Sequence, residues 1–148
     1  MTDQQTPTAT TPWHLWLVGI LALLWNGFGC VDYVMSATRP ETWLAQMGLN
    51  EAQIAYFNAM PAWATAAWAF GVFGGLVGAL FLLMRQRWAM HAFAVSQLGW
   101  VAGMIHAYGL SDGMEVMGDA WPMQLVIGAI CVFLVWYGWA MAKRGVLR

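Results

Sequence analysis

Four long apolar runs dominate the chain, and short polar breaks separate them. The runs cover residues 13–35, 61–84, 88–110 and 120–142. Each holds about 22 residues, which in a helix rising ~1.5 Å per residue crosses the ~30 Å hydrocarbon core of a bilayer with slight tilt. Helix is the expected form, because lipid offers no partner to an unpaired backbone amide. The pattern predicts an all-α fold, a bundle of four transmembrane helices, with Pro61 well placed to start the second. The run from Trp13 is too long for a signal-peptide core, and no Lys or Arg precedes it. A retained first span is therefore expected despite a cleavage-like Val34-Met35-Ser36-Ala37.

The breaks carry their own pattern. Residues 1–12 are rich in Thr, Gln and Pro and read as a disordered cytoplasmic tail. Residues 143–148 read as a basic cytoplasmic tail. Between the first two spans, Arg39-Pro40-Glu41 opens a short helix that Gly48 stops, and Asn50 followed by Gln53 has the spacing of a capping box. Trp43, Leu44, Met47, Ile54, Tyr56 and Phe57 give this segment an apolar, aromatic face. It predicts amphipathic helices that either rest in the outer lipid interface or lid the bundle.

Within the spans, small residues recur at steps of three and four, so each set lies on one helical face. The first span has Gly19, Ala22, Asn26 and Gly29. The second has Ala64, Ala67, Gly71, Gly74, Gly75 and Gly78. Ala92, Ser96, Gly99 and Gly103 mark the third, and Gln124, Gly128, Cys131 and Gly138 the fourth. Close backbone packing holds helices together in lipid, so these stripes predict the seams of the bundle.

Polar residues at the ends of the stripes form the candidate ligand-binding site: Asp32, Tyr33, His106 and Gln124 near the outer surface, with Asn26 deeper. A carboxylate at that depth must be protonated, paired or wet, and His106 is the expected partner for Asp32. Two readings stay open. The cluster forms a polar cup for a small polar or cationic solute, or it only sets helix register.

Composition agrees with the membrane reading: 61% of residues are hydrophobic and 9% charged, against roughly 25% charged in soluble domains. The net charge of -1 gives no reason to expect a nucleic-acid partner. Arg85, Arg87, Lys143, Arg144 and Arg148 fall on one side of the predicted bundle and Arg39 alone on the other. The positive-inside rule then places both ends in the cytoplasm. Cys30 and Cys131 sit in apolar runs without a CxxC and read as packing residues. His14 and His91, near the inner surface, could clamp a haem, or be two interfacial imidazoles. No cofactor and no metal are expected. No HExxH and no phosphate-binding loop occurs, and the chain is not expected to be an enzyme.

Leu24-Trp25-Asn26, Gly29, Asp32-Tyr33-Val34-Met35, Pro61-Ala62-Trp63, Trp68, Gly71-Val72, Gly75 and Arg85-Gln86-Arg87-Trp88-Ala89 together resemble a group of small proteobacterial inner-membrane proteins with four helices, often labelled sugar transporters. The likeness covers about residues 16–110 and weakens through the fourth span. A more distant likeness is to DoxX-like four-helix proteins linked with respiratory or redox complexes. The resemblance implies a multi-pass protein of the bacterial inner membrane. It implies either a small-solute transporter or transporter subunit, or a non-catalytic accessory subunit of a larger membrane complex. Besides the bilayer, the expected partners are a second copy or another membrane protein, and a small polar solute.

Overall fold

The structure is a computed structural model, and it describes residues 9–148. The tail expected to be disordered lies, but for its last four residues, outside them. The elements are α1 (Trp13–Thr38), α2 (Pro40–Gln46), α3 (Glu51–Asn58), α4 (Ala62–Leu83), α5 (Trp88–Ile105), α6 (Gly113–Met117) and α7 (Trp121–Lys143). α5 runs on into a π-helical turn, His106–Leu110, and a 3-10 turn, Gly118–Ala120, leads into α7. The fold is all-α, with no strand among the described residues. Three segments are long and apolar enough to cross a membrane: Trp13–Thr38, Ala62–Leu83 and Gly113–Lys143. α5 is shorter, carries Ser96 and Gln97, and is not among them.

α4 lies between α1 and α5, and α5 carries α7 on its other side. Glycine sets how closely these helices approach. A Cβ at Gly99 would lie 2.5 Å from the Ala67 carbonyl oxygen and 2.6 Å from the Gly71 amide nitrogen, so α4 and α5 touch through backbone. Ser96 donates its hydroxyl to the Gly71 carbonyl across the same seam. On the opposite side of α4, a Cβ at Gly75 would overlap the Asn26 side chain of α1. Gly128 of α7 faces the Trp100 ring of α5. Gly103 has open space around its Cα, so the α5 stripe leaves the seam before its end.

The main apolar core is at one end only. Leu15, Leu82, Phe93 and Leu147 are nearly fully buried there, joined by Ala79, Ala89, Leu134, Tyr137 and Met141. α1 and α7 meet at this end, where His14 and the Tyr137 hydroxyl share a hydrogen bond. We call it the basic end, for Arg85, Arg87, Lys143, Arg144 and Arg148.

Val146 and Leu147, within the segment read as a basic tail, are part of this core. Gly145 takes a left-handed φ of 70°, which glycine adopts without steric cost. Its N–H donates to the Ala142 carbonyl and the next N–H, of Val146, to the Met141 carbonyl. That pair is a Schellman motif, with its usual apolar contact between Val146 and Met141, both buried. The turn sends Leu147 back under the helices. The Arg148 N–H then donates to the Arg85 carbonyl at 2.7 Å, and the Arg87 N–H to the Arg148 carbonyl at 3.0 Å.

Candidate functional site

The other end is closed by α2 and α3. Gly48 stops α2, as its spacing predicts, with φ 87°. Asn50 and Gln53 form the expected capping box, each side chain taking the other's backbone N–H at 3.0 Å. The Gln53 amide also donates to the Val116 carbonyl, which ties α3 to α6. The segment therefore packs as a roof over the helix ends.

The roof changes the partners of the candidate residues. Asp32, half-buried on α1, accepts a 2.8 Å hydrogen bond from the Trp43 indole of α2. It does not pair with His106. His106 is 6% exposed, and its Nδ1 lies 3.4 Å from the Tyr56 hydroxyl of α3. Helix depth alone placed the two side chains at one level, and the loop supplied a nearer partner to each. Tyr33 packs edge-on against Trp68 and Phe73 of α4. Asn26 is buried against Gly75, and its amide donates to the Ala22 carbonyl at 2.8 Å. Gln124 is half-buried on α7 and makes no side-chain hydrogen bond among the described residues. No two of these five residues share a hydrogen bond, so the single cup expected from the sequence is divided.

His106 is the centre of the largest piece. It is the first residue of the π turn, a rare departure from α geometry that recurs at functional sites. The Ser111 hydroxyl donates to the His106 carbonyl at 2.8 Å and lies 3.0 Å from the Tyr56 hydroxyl. Ser111 has one proton and uses it on the carbonyl, so Tyr56 donates to Ser111. The Tyr56 oxygen is then left to accept from His106 Nδ1. Gly113 makes room for this network, since a Cβ there would lie 2.6 Å from the Tyr56 hydroxyl. Ring contacts run from α1 to α5 through the roof: Tyr33 to Trp68, Phe57, Tyr56, His106 and Trp63, with centroids 5.2–6.1 Å apart.

Trp43, Tyr56 and Ser111 are the site residues that the sequence did not mark as such. The available signal was chemical: a partly buried Tyr or Trp needs a partner for its O–H or N–H, and both lie on the segment's apolar, aromatic face. The expectation of no enzyme motif also passes over one pentapeptide, Gly109-Leu110-Ser111-Asp112-Gly113, which has the G-x-S-x-G spacing of a hydrolase nucleophile elbow. Its geometry differs from an elbow. Ser111 is extended, at φ -148° and ψ 173°, and follows a π turn rather than a strand.

The histidines at the basic end serve locally. His14 bonds Tyr137, and His91 stacks near Trp88 at 5.3 Å. Among the described residues, no group of three His, Cys, Asp or Glu is placed to hold a metal ion. Cys30 and Cys131 are free thiols on α1 and α7. No protein-family model matches the chain, and no curated protein or solved structure matches it either.

Proposed function

We propose that this is a four-span protein of the bacterial inner membrane, with both ends cytoplasmic. It binds a small polar solute beneath the α2–α3 roof, as a transporter or a transporter subunit. The observation that carries the reading is His106, buried at the start of a π turn with its Nδ1 beside the Tyr56 hydroxyl, under a roof held by few bonds. The fourth span is α5 with its π turn. It runs alongside α4, from the Phe93–Gly78 contact to the Trp63–His106 contact. It also turns Leu98 and Ile105 outward, 68% and 55% exposed, as a lipid-facing helix does. The excess of basic residues at the Arg85 end puts that end in the cytoplasm and the roof outside. Four helices make a thin pathway, so transport requires at least a second copy. The resemblance to proteins labelled sugar transporters favours sugars and polyols as the solute class.

A second reading has its own observation. Trp100, Gly128, Val132 and Trp136 line an open apolar groove between α5 and α7, and Gln97 lines an adjoining one. The Gln97 Oε1 and Trp100 Nε1 atoms are buried without a hydrogen-bond partner. Unpaired polar groups at that depth favour an accessory subunit whose α5–α7 face meets another membrane helix.

Thermal unfolding of the purified protein against sugars, polyols, amino acids and organic cations separates the two. A solute at ~100 times its dissociation constant adds ~2.7 kcal/mol. The solute reading expects a shift with one class that His106→Gln abolishes. No shift with any class, together with co-purification of a membrane partner lost in Gln97→Leu, would replace it with the accessory reading.

A further inference from the structure

We infer that the Arg85–Arg87 turn and the 145–148 segment together form a binding site for the headgroup of an acidic phospholipid. Two guanidinium groups are held on this clamp by consecutive carbonyls. Arg85 donates through Nε to the Val146 carbonyl at 3.3 Å, and Arg87 through Nε to the Leu147 carbonyl at 3.4 Å. Each side chain is thereby held in place by one nitrogen, and its two terminal nitrogens remain for another acceptor. Among the described residues no Asp or Glu side chain pairs with either, and the acidic side chains lie at the roof end and in the 112–119 loop. A pair of oriented guanidinium forks without an anion is the arrangement that binds a phosphodiester bidentately.

Two further observations place the ligand in the membrane surface. Trp88, next in the chain to Arg87, is 64% exposed, and exposed indoles of membrane proteins favour headgroup level. Lys143, two residues before Gly145, lies over the Trp139 ring, 4.2 Å from its centroid. Arg85 also holds φ at 59°. A long side chain rarely adopts that conformation without a compensating contact, and here the contact is the 145–148 segment. Headgroup binding therefore favours the seated position of Leu147 in the core.

The test uses the full chain in nanodiscs of phosphatidylcholine with a rising fraction of phosphatidylglycerol. The readout is amide exchange at residues 145–148. Protection is expected to rise with the acidic lipid. Arg87→Lys keeps the charge and loses the fork, and should raise the half-effect fraction about tenfold. Lys143→Gln removes a charge beside the clamp and should change it within about twofold. If Arg87→Lys melts lower in neutral discs, Arg85→Lys gives the same test through the other guanidinium. The proposal fails if exchange ignores the acidic lipid, or if Lys143→Gln weakens the effect as much as Arg87→Lys. It also fails if inorganic phosphate in phosphatidylcholine discs gives the same protection, which would make the clamp a site for free anions.

Discussion

At the basic end, Leu15, Leu82, Phe93 and Leu147 fill the space between the helices with side chains that are almost wholly buried. At the roof end the same helices are bridged by Trp43, Tyr56 and Ser111 through hydrogen bonds of 2.8–3.4 Å. The two closures have different energetics. Apolar packing adds up over many contacts and is lost steeply when a side chain is cut back. Each polar bond contributes only ~1 kcal/mol net, because water replaces it when it opens. α2 and α3 have seven and eight residues, too few to be stable helices alone. The basic end is thus the anchor, and opening belongs to the roof.

Substitutions can break or sharpen this contrast. Leu147→Ala should cost most, ~2–5 kcal/mol, because it leaves a cavity in the core. Denaturant unfolding would measure it, and a loss below ~1 kcal/mol would mean that Leu147 is not seated as described. Gly99→Ala should follow, at ~1–3 kcal/mol, since backbone on α4 blocks the added methyl. It should weaken both ends alike, because the α4–α5 seam serves both. Tyr56→Phe should cost ~1 kcal/mol and yet speed amide exchange in α3 while leaving α7 unchanged. Exchange rising equally in both helices would show that the ends open together, against the contrast drawn above. Arg85→Gly should be smallest, within ~0.5 kcal/mol, because relief of the left-handed backbone offsets the lost Nε bond.

Much of this architecture is legible in the sequence, and the reason is local. The start of α1 and both limits of α4 and α7 fall within two residues of the apolar runs, and α2 and α3 follow from Pro40, Gly48 and the Asn50–Gln53 pair. The glycine stripes show where α4 meets α5 because close approach needs small residues wherever it occurs. The divided site was not legible. Periodicity gives the face and depth of Asp32 and His106 but not the path of the loop, and the loop carries Trp43 and Tyr56 to them. Nor does any residue in His106–Leu110 announce a π turn. The 145–148 segment is an intermediate case. Its charges hid Val146 and Leu147, although Gly145 beside a run of helix was a fair sign of a turn back into the core.

The seating of residues 146–147 also has a consequence for how the chain is made. These residues follow α7 in the chain, so the basic end stays unsealed until they have left the ribosome. The hairpin of α4 and α5 joins neighbours in the chain and can form early, whereas contacts between Leu147 and Leu15 of α1 close a loop across the whole bundle. Assembly should therefore proceed from the middle outward, with nascent chains stopped before Val146 holding helices that are formed but loosely associated. Such an intermediate would be the form most open to proteases and to wrong partners, and the docking of Leu147 would end that exposure.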